Sequence, residues 1–463
     1  MVVSDSCDGV DCSEYYVEPK DSAALNQTDE GATAWQNAQD INNPTSAETA
    51  MARAVAGDVV YFRGGKYLLS HSDSGFYWYN GALNPSNSGS SSSPITFMAY
   101  PGEVPELDTS TAESGWDNGV ALGLNCQDHI TYDGFKIIAD GGASMGAIKL
   151  QGNNCSNIDG TVIKNFVLDG GSNVISTSDN REGIRVESTD NTVIENTLMY
   201  GYRHTSNWAN TGAIKAYQNN NLTIRNSEIY DSSVGIYLKS RNFDAKIYNN
   251  YLHDNYQAGG IQTYLTRNSD RIQFYNNVVA NCSMYGFVNN GEEQAHSNDL
   301  KLYNNTLYNT GAVALASGKA EPGYGVEVYN NIFPSGSTTF TFVTGYTSDP
   351  VRGYIKAMDH NLLPSDFKIK ARASGSETYT SLSLWQNSGE EEDGGNPGSG
   401  SIVGDAAFVN ASGNMNQLDD FRLSTNSPAR QAGRNGADMG ANISLVGIQN
   451  GNISAQSAEA DEP

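Results

Sequence analysis

The feature that most constrains this chain is a short phrase that recurs between Gly183 and Asn305. Each copy opens with glycine and an aliphatic residue and closes with a β-branched or aromatic segment ending in asparagine, as in GIRVESTDNTVIEN and GAIKAYQNNNLTIRN. The closing asparagines, taken as register marks, are Asn165, Asn196, Asn226, Asn250, Asn277, Asn305 and Asn331. They lie 24 to 31 residues apart. A repeat of this length with strand-like content predicts a β-solenoid, in which each repeat forms one coil.

The composition agrees with an all-β chain. Its 463 residues include 48 glycines and 26 tyrosines, which suit short strands and tight turns better than long helices. The stretch AETAMARAVA at 47–56 is the one convincing helical segment, and we expect it to cap the open apolar end of the solenoid. No run of about 18 apolar residues is present, so the sequence predicts no membrane-spanning helix.

The chain divides into three predicted regions. Residues 1–45 read as a polar leader or loose wrap, 46–445 as the coil domain, and 446–463 as a disordered tail. A closing coil is indicated by the segments DAAFVN at 405–410, FRLSTNSPARQAG at 421–433 and ADMGA at 437–441. We expect a monomer.

Charge and cysteines limit the partners and the compartment. The formal charge of −25 argues against nucleic acid as a partner of the whole chain, and an acidic surface is more often a device for solubility. Cys7 and Cys12 enclose a small loop, while Cys126 and Cys155 lie about one coil apart and can stack as neighbours. Two plausible pairs besides Cys282 favour an exported protein, whose polar start would follow a removed signal.

Alternation along the strands separates inner from outer side chains. The predicted inner ladder is Ile148, Ile184, Ile214, Ile236 and Ile261. The predicted outward residues are Lys149, Arg185, Lys215, Tyr237 and Gln262, and two positions further on Gln151, Glu187, Tyr217, Lys239 and Tyr264. Because parallel strands lie about 4.8 Å apart, these residues would form one strip of cations interleaved with Tyr and Gln, here called the cationic strip.

The cationic strip suits an anionic polymer, because a cleft focuses its own field whatever the net charge. Arg203 and His204, in the long insertion YGYRHTSNWANTG, would wall the same groove, and Arg241 and Arg267 would reach it from the other side. Any one of these cations alone is more often a plain solubilising residue. Several in register with aromatic neighbours favour the binding interpretation.

Four segments carry a family resemblance: AGDVVYFRGGKY, PITFMAYPGEVPELD, the YDGF coil and the closing FRL…SPARQAG…DMGA. They resemble secreted right-handed parallel β-helix carbohydrate enzymes, namely the alginate lyase and chondroitinase-B-like polysaccharide lyases and their pectate lyase relatives. The resemblance covers roughly residues 47–441. It implies a right-handed parallel β-helix and a lyase acting on a uronate polymer, with alginate favoured over pectate or chondroitin.

The resemblance also implies a chemistry. In β-elimination a base removes the C5 proton beside the uronate carboxylate, whose charge must be neutralised by a cation or an amide. In this family the base is the lysine of a Lys-Ser pair, and an arginine on the next coil donates the proton to the leaving oxygen. The resemblance therefore implies Lys239, followed by Ser240, as the base, and Arg267, ten residues before Asn277, as the acid. Lys215 and Arg185 would then bind carboxylates, for which arginine has a bidentate geometry.

The family also holds calcium at the substrate carboxylate. The glutamates that it places before its lysine are absent here, so Glu187, Asp190 and Asp231 are the replacement candidates. Two other functions stay open. A glycoside hydrolase needs two carboxylates flanking the scissile bond, for which Asp231 and Asp254 are candidates. A non-catalytic carbohydrate-binding β-helix would keep the strip without an activated base.

Overall fold

The structure is a computed structural model. It describes residues 13–20, 31–69, 81–109, 119–139, 144–172, 174, 181–206, 210–263, 269–291, 297–317, 325–333, 339–344, 355–373, 375–388, 396–411, 413 and 415–449. The chain falls into two compact units. Unit 1 runs to Ile214, and unit 2 is Lys215–Gln449.

Each unit is a parallel β-helix, because successive coils place short strands rich in Val, Ile, Thr and Tyr side by side in three sheets. The unit 1 strands of sheet 1 are β1 (Glu14–Val17), β2 (Val59–Phe62), β4 (Ile95–Ala99), β7 (Ile130–Asp133), β11 (Val162–Lys164) and β15 (Val193–Glu195). Those of sheet 2 are β3 (Gly65–Leu68), β5 (Pro105–Asp108), β8 (Lys136–Ile138), β12 (Val167–Asp169) and β16 (Leu198–Tyr200). Those of sheet 3 are β6 (Gly119–Asn125), β9 (Ser144–Gln151) and β13 (Arg181–Glu187), and β17 (Thr211–Tyr217) spans the division.

Unit 2 repeats the plan. Its strands in sheet 1 are β18 (Thr223–Arg225), β21 (Lys246–Tyr248), β25 (Gln273–Tyr275), β29 (Leu300–Tyr303), β32 (Val326–Tyr329) and β34 (Ile355–Asp359). Sheet 2 has β19 (Glu228–Tyr230), β22 (Tyr251–His253), β26 (Val278–Ala280) and β30 (Thr306–Tyr308). Sheet 3 has β20 (Val234–Lys239), β23 (Gln257–Thr263), β27 (Tyr285–Gly291), β31 (Ala312–Ser317), β33 (Thr339–Thr344), β36 (Lys368–Ala373) and β37 (Gly375–Tyr379), the last antiparallel to β36.

Three short pairs of strands complete the sheets. They are β10 (Ile158–Asp159) with β14 (Thr189–Asp190), β24 (Ser269–Asp270) with β28 (Ser297–Asn298), and β35 (Leu362–Leu363) with β38 (Ile402–Val403). The described helices are α1 (Gly31–Asn37), α2 (Ala47–Arg53) and α3 (Leu382–Gln386), with 3-10 turns at Leu418–Phe421, Arg434–Gly436 and Ile443–Leu445. No helix in these parts of the chain has the length and apolar character needed to cross a membrane.

The interior of unit 1 is aromatic where sheet 1 turns into sheet 2. Phe135 packs on Phe62 and on Phe166, with ring centroids 5.0 and 5.6 Å apart. All three side chains are fully buried. These rings bury large apolar areas and give this part of the core its stability.

The interior of unit 2 carries an asparagine ladder at the corresponding turn. Its members are Asn250, Asn277, Asn305, Asn331 and Asn361, all fully buried. The backbone N–H of each donates to the side-chain Oδ1 of the next, as in Asn277 to Asn305 at 3.0 Å. Each Nδ2 also donates to a carbonyl oxygen of the preceding coil, for example Asn277 to Ile247 at 3.0 Å. The ladder thus satisfies polar groups that would otherwise be buried without partners.

The structure corrects the register marks. Asn165, Asn196 and Asn226 have positive φ and occupy the turn one residue before the interior position, where asparagine tolerates the left-handed conformation. Asn250, Asn277, Asn305 and Asn331 instead occupy the interior position itself. The marks therefore combine two columns, which the double asparagines of the later coils made indistinguishable in the sequence.

The predicted inner ladder needs a second correction. Ile148 pairs with Ile184 as expected, and Ile214 and Ile236 are buried. Ile261, however, pairs with Leu238, while Ile236 pairs with Gly259. Strand β23 is therefore shifted by two residues from the predicted register, and Gly259 and Gly260 lie opposite Ile236 and Tyr237.

The first described residues pack within unit 1, and the last ones pack within unit 2. Helix α2 confirms the helical segment predicted near residue 47, with Ser46 as its N-cap, and buries Ala50 and Met51. Strand β1, within the predicted leader, pairs with β2. The segment predicted as a closing coil packs Phe421 and Met439 in one cluster with residues of sheet 2, including Tyr251. It is therefore a cover on sheet 2 of unit 2, built from turns.

Candidate active site on the third sheet

The residues of the predicted cationic strip that the structure describes lie on strands of sheet 3. In unit 1, Lys149 lies on β9 and pairs with Arg185 on β13, in the same ladder as Gln151 with Glu187. In unit 2, Tyr217 ends β17 and Lys239 ends β20. The register within unit 1 is as predicted, and each unit's cluster is described below by itself.

The side chains of the strip are less exposed than predicted. Lys149 is 4% exposed, Lys215 2% and Tyr237 5%. In unit 1 the reason is visible at two outward glycines. A Cβ at Gly123, beside Lys149, would collide with the backbone of Gly81, and one at Gly183 would touch the Tyr202 ring. This face of sheet 3 is therefore covered by other segments, which a pattern of alternating residues does not reveal.

The Lys149 cluster consists of Lys149, Gln151, Glu182, Arg185 and Glu187. The Arg185 guanidinium donates from Nε to Glu187 Oε2 at 3.0 Å and lies 3.5 Å from Glu182 Oε1. Gln151 is 1% exposed, and its Oε1 accepts no hydrogen bond from the described residues. A buried acceptor of this kind calls for a donor, and a sugar hydroxyl is one.

Burial lowers the pKa of Lys149 to about 8, and the neighbouring positive charge of Arg185 lowers it further against the attraction of Glu187 and Glu182. Desolvation penalises the ammonium form, which explains the direction. Lys149 therefore loses its proton at a lower pH than an ordinary lysine does, in a cluster that also holds an arginine.

A disulfide supports the Lys149 cluster. Cys126 and Cys155 are bonded, as the sequence predicted, with their Cα atoms 5.9 Å apart. The bond holds the turn that follows β9, where Asn153 donates from Nδ2 to Glu187 Oε1 at 3.0 Å. One carboxylate oxygen of Glu187 thus binds Asn153 and the other binds Arg185, so the turn fixes the arginine through the glutamate.

The Tyr217 cluster lies in unit 2 and consists of Lys215, Tyr217, Tyr237 and Lys239. The ammonium groups of Lys215 and Lys239 lie 5.4 and 5.8 Å from the centroid of the Tyr217 ring. Cation–π attraction of this kind stabilises lysine on a partly desolvated surface. The structure therefore brings together the predicted base, Lys239, and the predicted carboxylate ligand, Lys215.

The register correction also moves Gln262. It pairs with Lys239 rather than with Tyr237, which pairs with Gly260. Gln262 thus belongs beside the predicted base on the next strand. Its neighbour Tyr264 and the predicted acid Arg267 lie outside the described residues.

The residues of the long insertion have other contacts. Arg203 donates from Nη2 to the Gly171 carbonyl oxygen at 3.0 Å. His204 is buried, and its Nδ1 accepts the backbone N–H of Ser206 at 3.0 Å. Arg241 is exposed and has positive φ at the end of β20. Nothing described places these three side chains in either cluster, so their roles stay predictions.

The candidate calcium ligands lie on different elements, namely β13, β14 and the turn after β19. Glu187 is committed to Arg185 and Asn153, and Asp190 accepts a hydrogen bond from Asn157 Nδ2 at 3.1 Å at a corner outside sheet 3. Asp231 has positive φ at the turn into β20. Calcium takes six to eight oxygen ligands, whereas no group of three or more acidic, His or Cys side chains suited to a metal occurs in the described part of the chain. We derive no step through calcium.

The carboxylates considered for hydrolysis lie at the ends of sheet 2 strands. Asp254 follows β22 and contacts His253 Nδ1 at 2.7 Å, and Asp231 follows β19 at the equivalent turn of the preceding coil. His253 also contacts Glu228 at 3.2 Å and stacks on Tyr251 and Tyr230. This is an ion-paired histidine, and no described contact links it to the outward face of sheet 3.

Sequence reasoning missed Glu182 and Asn153. Both lie outside the outward positions that alternation selected, because Glu182 precedes the glycine-led phrase and Asn153 lies in the turn after β9. The position of Asn153, two residues before Cys155, was the available signal, because a cross-linked turn can hold a side chain in place.

Comparison with known proteins agrees with the fold. Residues 137–333 match the family model described as a right handed beta helix region. The crystal structure of pectate lyase Pel9A aligns with 15% identity over 93% of this chain and 96% of that chain, with a TM-score of 0.58. The chain thus folds as a right-handed parallel β-helix, as predicted.

Two further alignments are weaker. The complex of XylC with xylose aligns at 12% identity over 84% of this chain and 82% of that one, with a TM-score of 0.48. A mannuronic acid specific polysaccharide family 6 lyase from human gut microbiota aligns at 13% identity over 89% and 90%, with a TM-score of 0.45. A search of curated protein sequences gives no match.

Proposed function

We propose that this protein is an exported polysaccharide lyase that cleaves an anionic, uronate-containing polymer by β-elimination, with alginate the favoured substrate and pectate the next. The observation that carries the proposal is the Tyr217 cluster, in which two lysine ammonium groups contact one tyrosine ring on the candidate face of sheet 3. The alignment with a pectate lyase adds a fold in which such chemistry occurs.

In the proposed reaction Lys239 acts as the base. Its Nζ removes the C5 proton, the electron pair forms the C4–C5 double bond, and the C4–O bond breaks. The departing oxygen takes a proton from an acid, for which Arg267 is the candidate. Lysine is a base only when neutral, so the proposed reaction requires Lys239 to lose its proton before it attacks the C5 hydrogen.

The other residues are proposed to bind substrate. Lys215 neutralises the carboxylate beside C5, which lowers the barrier to proton removal. Tyr217 offers apolar ring surface to sugars, and Tyr237, which is 5% exposed, stays a proposed binding residue. Arg185 and Lys149 are proposed to bind further carboxylates and Gln151 a hydroxyl, with Arg185 aligned by Glu187. Gln262, Tyr264, Arg203, His204 and Arg241 stay proposed binding residues.

Export is part of the proposal. The Cys126–Cys155 disulfide is of a kind that persists in oxidising compartments and is rare in the cytosol.

The test is an assay with alginate, pectate, chondroitin and carrageenan that follows the ultraviolet absorbance of the unsaturated uronate. Reducing ends without that absorbance would indicate hydrolysis, and polymer binding without either signal would indicate a non-catalytic protein. Lys239→Ala should lower kcat by about 10²- to 10⁴-fold, the usual contribution of a general base. Lys246→Ala, which removes an exposed lysine on sheet 1, is the matched control.

Full activity in both Lys239→Ala and Arg267→Ala would overturn the assignment. Arg203 and His204 would then be the next candidates.

A further inference from the structure

The C-terminal segment of unit 2 forms a second groove, distant in sequence from the strands that carry the candidate site. It has a volume of about 480 Å³ and is lined on one side by turn asparagines that include Asn304, and on the other by Arg422, Leu423, Arg430, Asp438 and Ile443. A volume of this size is typical of small-ligand pockets. We call it the C-terminal groove.

The walls of the groove are fixed by hydrogen bonds. The Asn442 N–H donates to Asn276 Oδ1 at 2.6 Å, Gly440 N–H to the Asn330 carbonyl oxygen at 2.7 Å, and Ala441 N–H to Thr306 Oγ1 at 3.0 Å. These bonds tie the segment to three successive coils. The groove is therefore preorganised, which reduces the ordering cost of binding.

The lining of the groove includes two arginines in a protein with a formal charge of −25. Arg422 is held by Asp419, with Nη2 2.7 Å from Oδ1. The Arg430 side chain is exposed and makes no hydrogen bond or ion pair with any described residue. Asp438 is the one acidic residue of the lining, and its Oδ1 accepts the Gln431 N–H at 2.8 Å. The lining thus holds one guanidinium group paired with Asp419, the guanidinium group of Arg430, which pairs with no described residue, and the apolar side chains of Leu423 and Ile443, here called the apolar floor.

We propose that the C-terminal groove is a second, non-catalytic site for an acidic oligosaccharide, with Arg430 and Arg422 binding uronate carboxylates and the apolar floor contacting a sugar ring. Arginine binds carboxylates through two parallel hydrogen bonds. This inference rests on the proposed function for its polymer, but it requires only binding. It assigns the groove to holding the chain of an extended substrate.

Affinity electrophoresis in gels containing alginate or pectate tests the proposal, with a neutral glucan gel as reference. Arg430→Gln and Arg422→Gln should each weaken retardation by the acidic polymer, by about tenfold for the unpartnered Arg430. Arg271→Gln removes the same charge from an exposed arginine that is paired with Asp244 outside the groove, and should change retardation less than twofold. Equal retardation of the Arg430 and Arg271 variants would overturn the proposal.

Kinetics separates this inference from the proposed function. Where the protein cleaves the polymer, Arg430→Gln should raise KM for long chains and leave kcat and the KM of a trisaccharide unchanged. A protein that binds the polymer through Arg430 without cleaving it would refute the lyase and support the groove. If the protein cleaves the polymer and its KM for long chains is the same in the Arg430 and Arg271 variants, the lyase proposal is supported and the groove proposal is refuted.

Discussion

The two units fill the same corner of the coil with opposite chemistry. In unit 1 the residue between sheet 1 and sheet 2 is Phe135 or Phe166, whose rings pack against each other at a tilt in the interior. In unit 2 the equivalent residues are asparagines such as Asn277, whose amide bonds to the coils on either side. A ring contributes through the area that it buries, whereas an amide contributes by satisfying the backbone around it.

The candidate clusters differ in a parallel way. The cations of unit 1 are set among carboxylates, with Arg185 between Glu182 and Glu187. In unit 2, Lys215 and Lys239 share the ring of Tyr217. A paired arginine is oriented and has its charge partly balanced, which suits binding. Lysines gathered at a ring place two ammonium groups beside one aromatic surface, which is the arrangement that the proposed function uses.

Substituting leucine for Asn277 in unit 2 and for Phe166 in unit 1 should give the largest difference in the free energy of unfolding. Asn277→Leu removes the acceptor of the buried Asn250 N–H and one donor to the Ile247 carbonyl oxygen, and should lower the free energy of unfolding by about 3–5 kcal/mol. Phe166→Leu exchanges one apolar side chain for another and should cost less than about 1.5 kcal/mol. Guanidinium chloride denaturation measures both. Similar decreases in the free energy of unfolding for the two variants would mean that the asparagine ladder stabilises the protein only by filling space, and not through its hydrogen bonds.

Removal of the disulfide should weaken unit 1 next most strongly. The chain-entropy model gives about 3–4 kcal/mol for the 29-residue separation closed by Cys126–Cys155, so the double serine variant should unfold at a lower denaturant concentration. Asn153→Ala keeps the disulfide but breaks the bond to Glu187, and should cost about 1 kcal/mol. If Asn153→Ala raises KM for the polymer and the free energy of unfolding changes little, the turn acts by positioning Arg185.

Because of Lys149, the free energy of unfolding of unit 1 should change with pH in the alkaline range. Its pKa is about 8 in the folded protein, against an ordinary 10.5. Between these values the unfolded chain binds more protons at this site, so stability rises with pH from 8 to 10.5, and below pH 8 the full penalty applies. Lys149→Met should therefore be more stable than the parent at pH 7, by about 3 kcal/mol, with the advantage shrinking as pH rises to 10.5.

Thermal unfolding of Lys149→Met at pH 7 and 10 is the measurement. Lys164→Met, which removes a half-buried lysine paired with Asp133, is the control. A constant difference between parent and variant across this range would contradict the assignment.

In unit 2 the pH dependence should have the opposite direction and the smallest size. Burial of His253 by itself lowers its pKa, but hydrogen bonds to Glu228 and Asp254 outweigh burial and raise the pKa above 6.5. The stabilisation is thus fully present below pH 6.5 and is lost as pH rises through the folded pKa. His253→Gln should lower stability by about 1 kcal/mol at pH 5.5 and less at pH 8.5. Melting curves that shift equally at both pH values would exclude the ion pairs as the cause.

The sequence predicted the fold well because the period of a solenoid is written in the chain. Glycine-led strands and closing asparagines set the coil length, and alternation placed Ile148 and Ile184 inside. It failed where local insertions shift the register, as at Gly259 and Gly260, which move Ile261 beside Leu238. A repeat pattern counts residues, but pairing follows backbone hydrogen bonds, which tolerate an extra residue at a turn.

The candidate site was less predictable than the fold. Residue type identified Lys215, Tyr217 and Lys239, because cations and a ring at alternate positions share a face. The burial of Lys149 depends on distant segments that cover Gly123 and Gly183, and no local pattern records such coverage. The role of Glu187 likewise depends on Asn153, one coil away.

The asparagine ladder has a consequence for how such a chain can change length. Its terminal partners are serines: the Ser227 N–H donates to Asn250, and Ser401 Oγ accepts from Asn361. Between them every rung presents the same donor to one neighbour and the same acceptor to the other. One whole coil could be duplicated or deleted there and the broken bonds would rejoin unaltered. The ladder thus makes the coil an interchangeable module, whose loops can diverge while the joint remains constant.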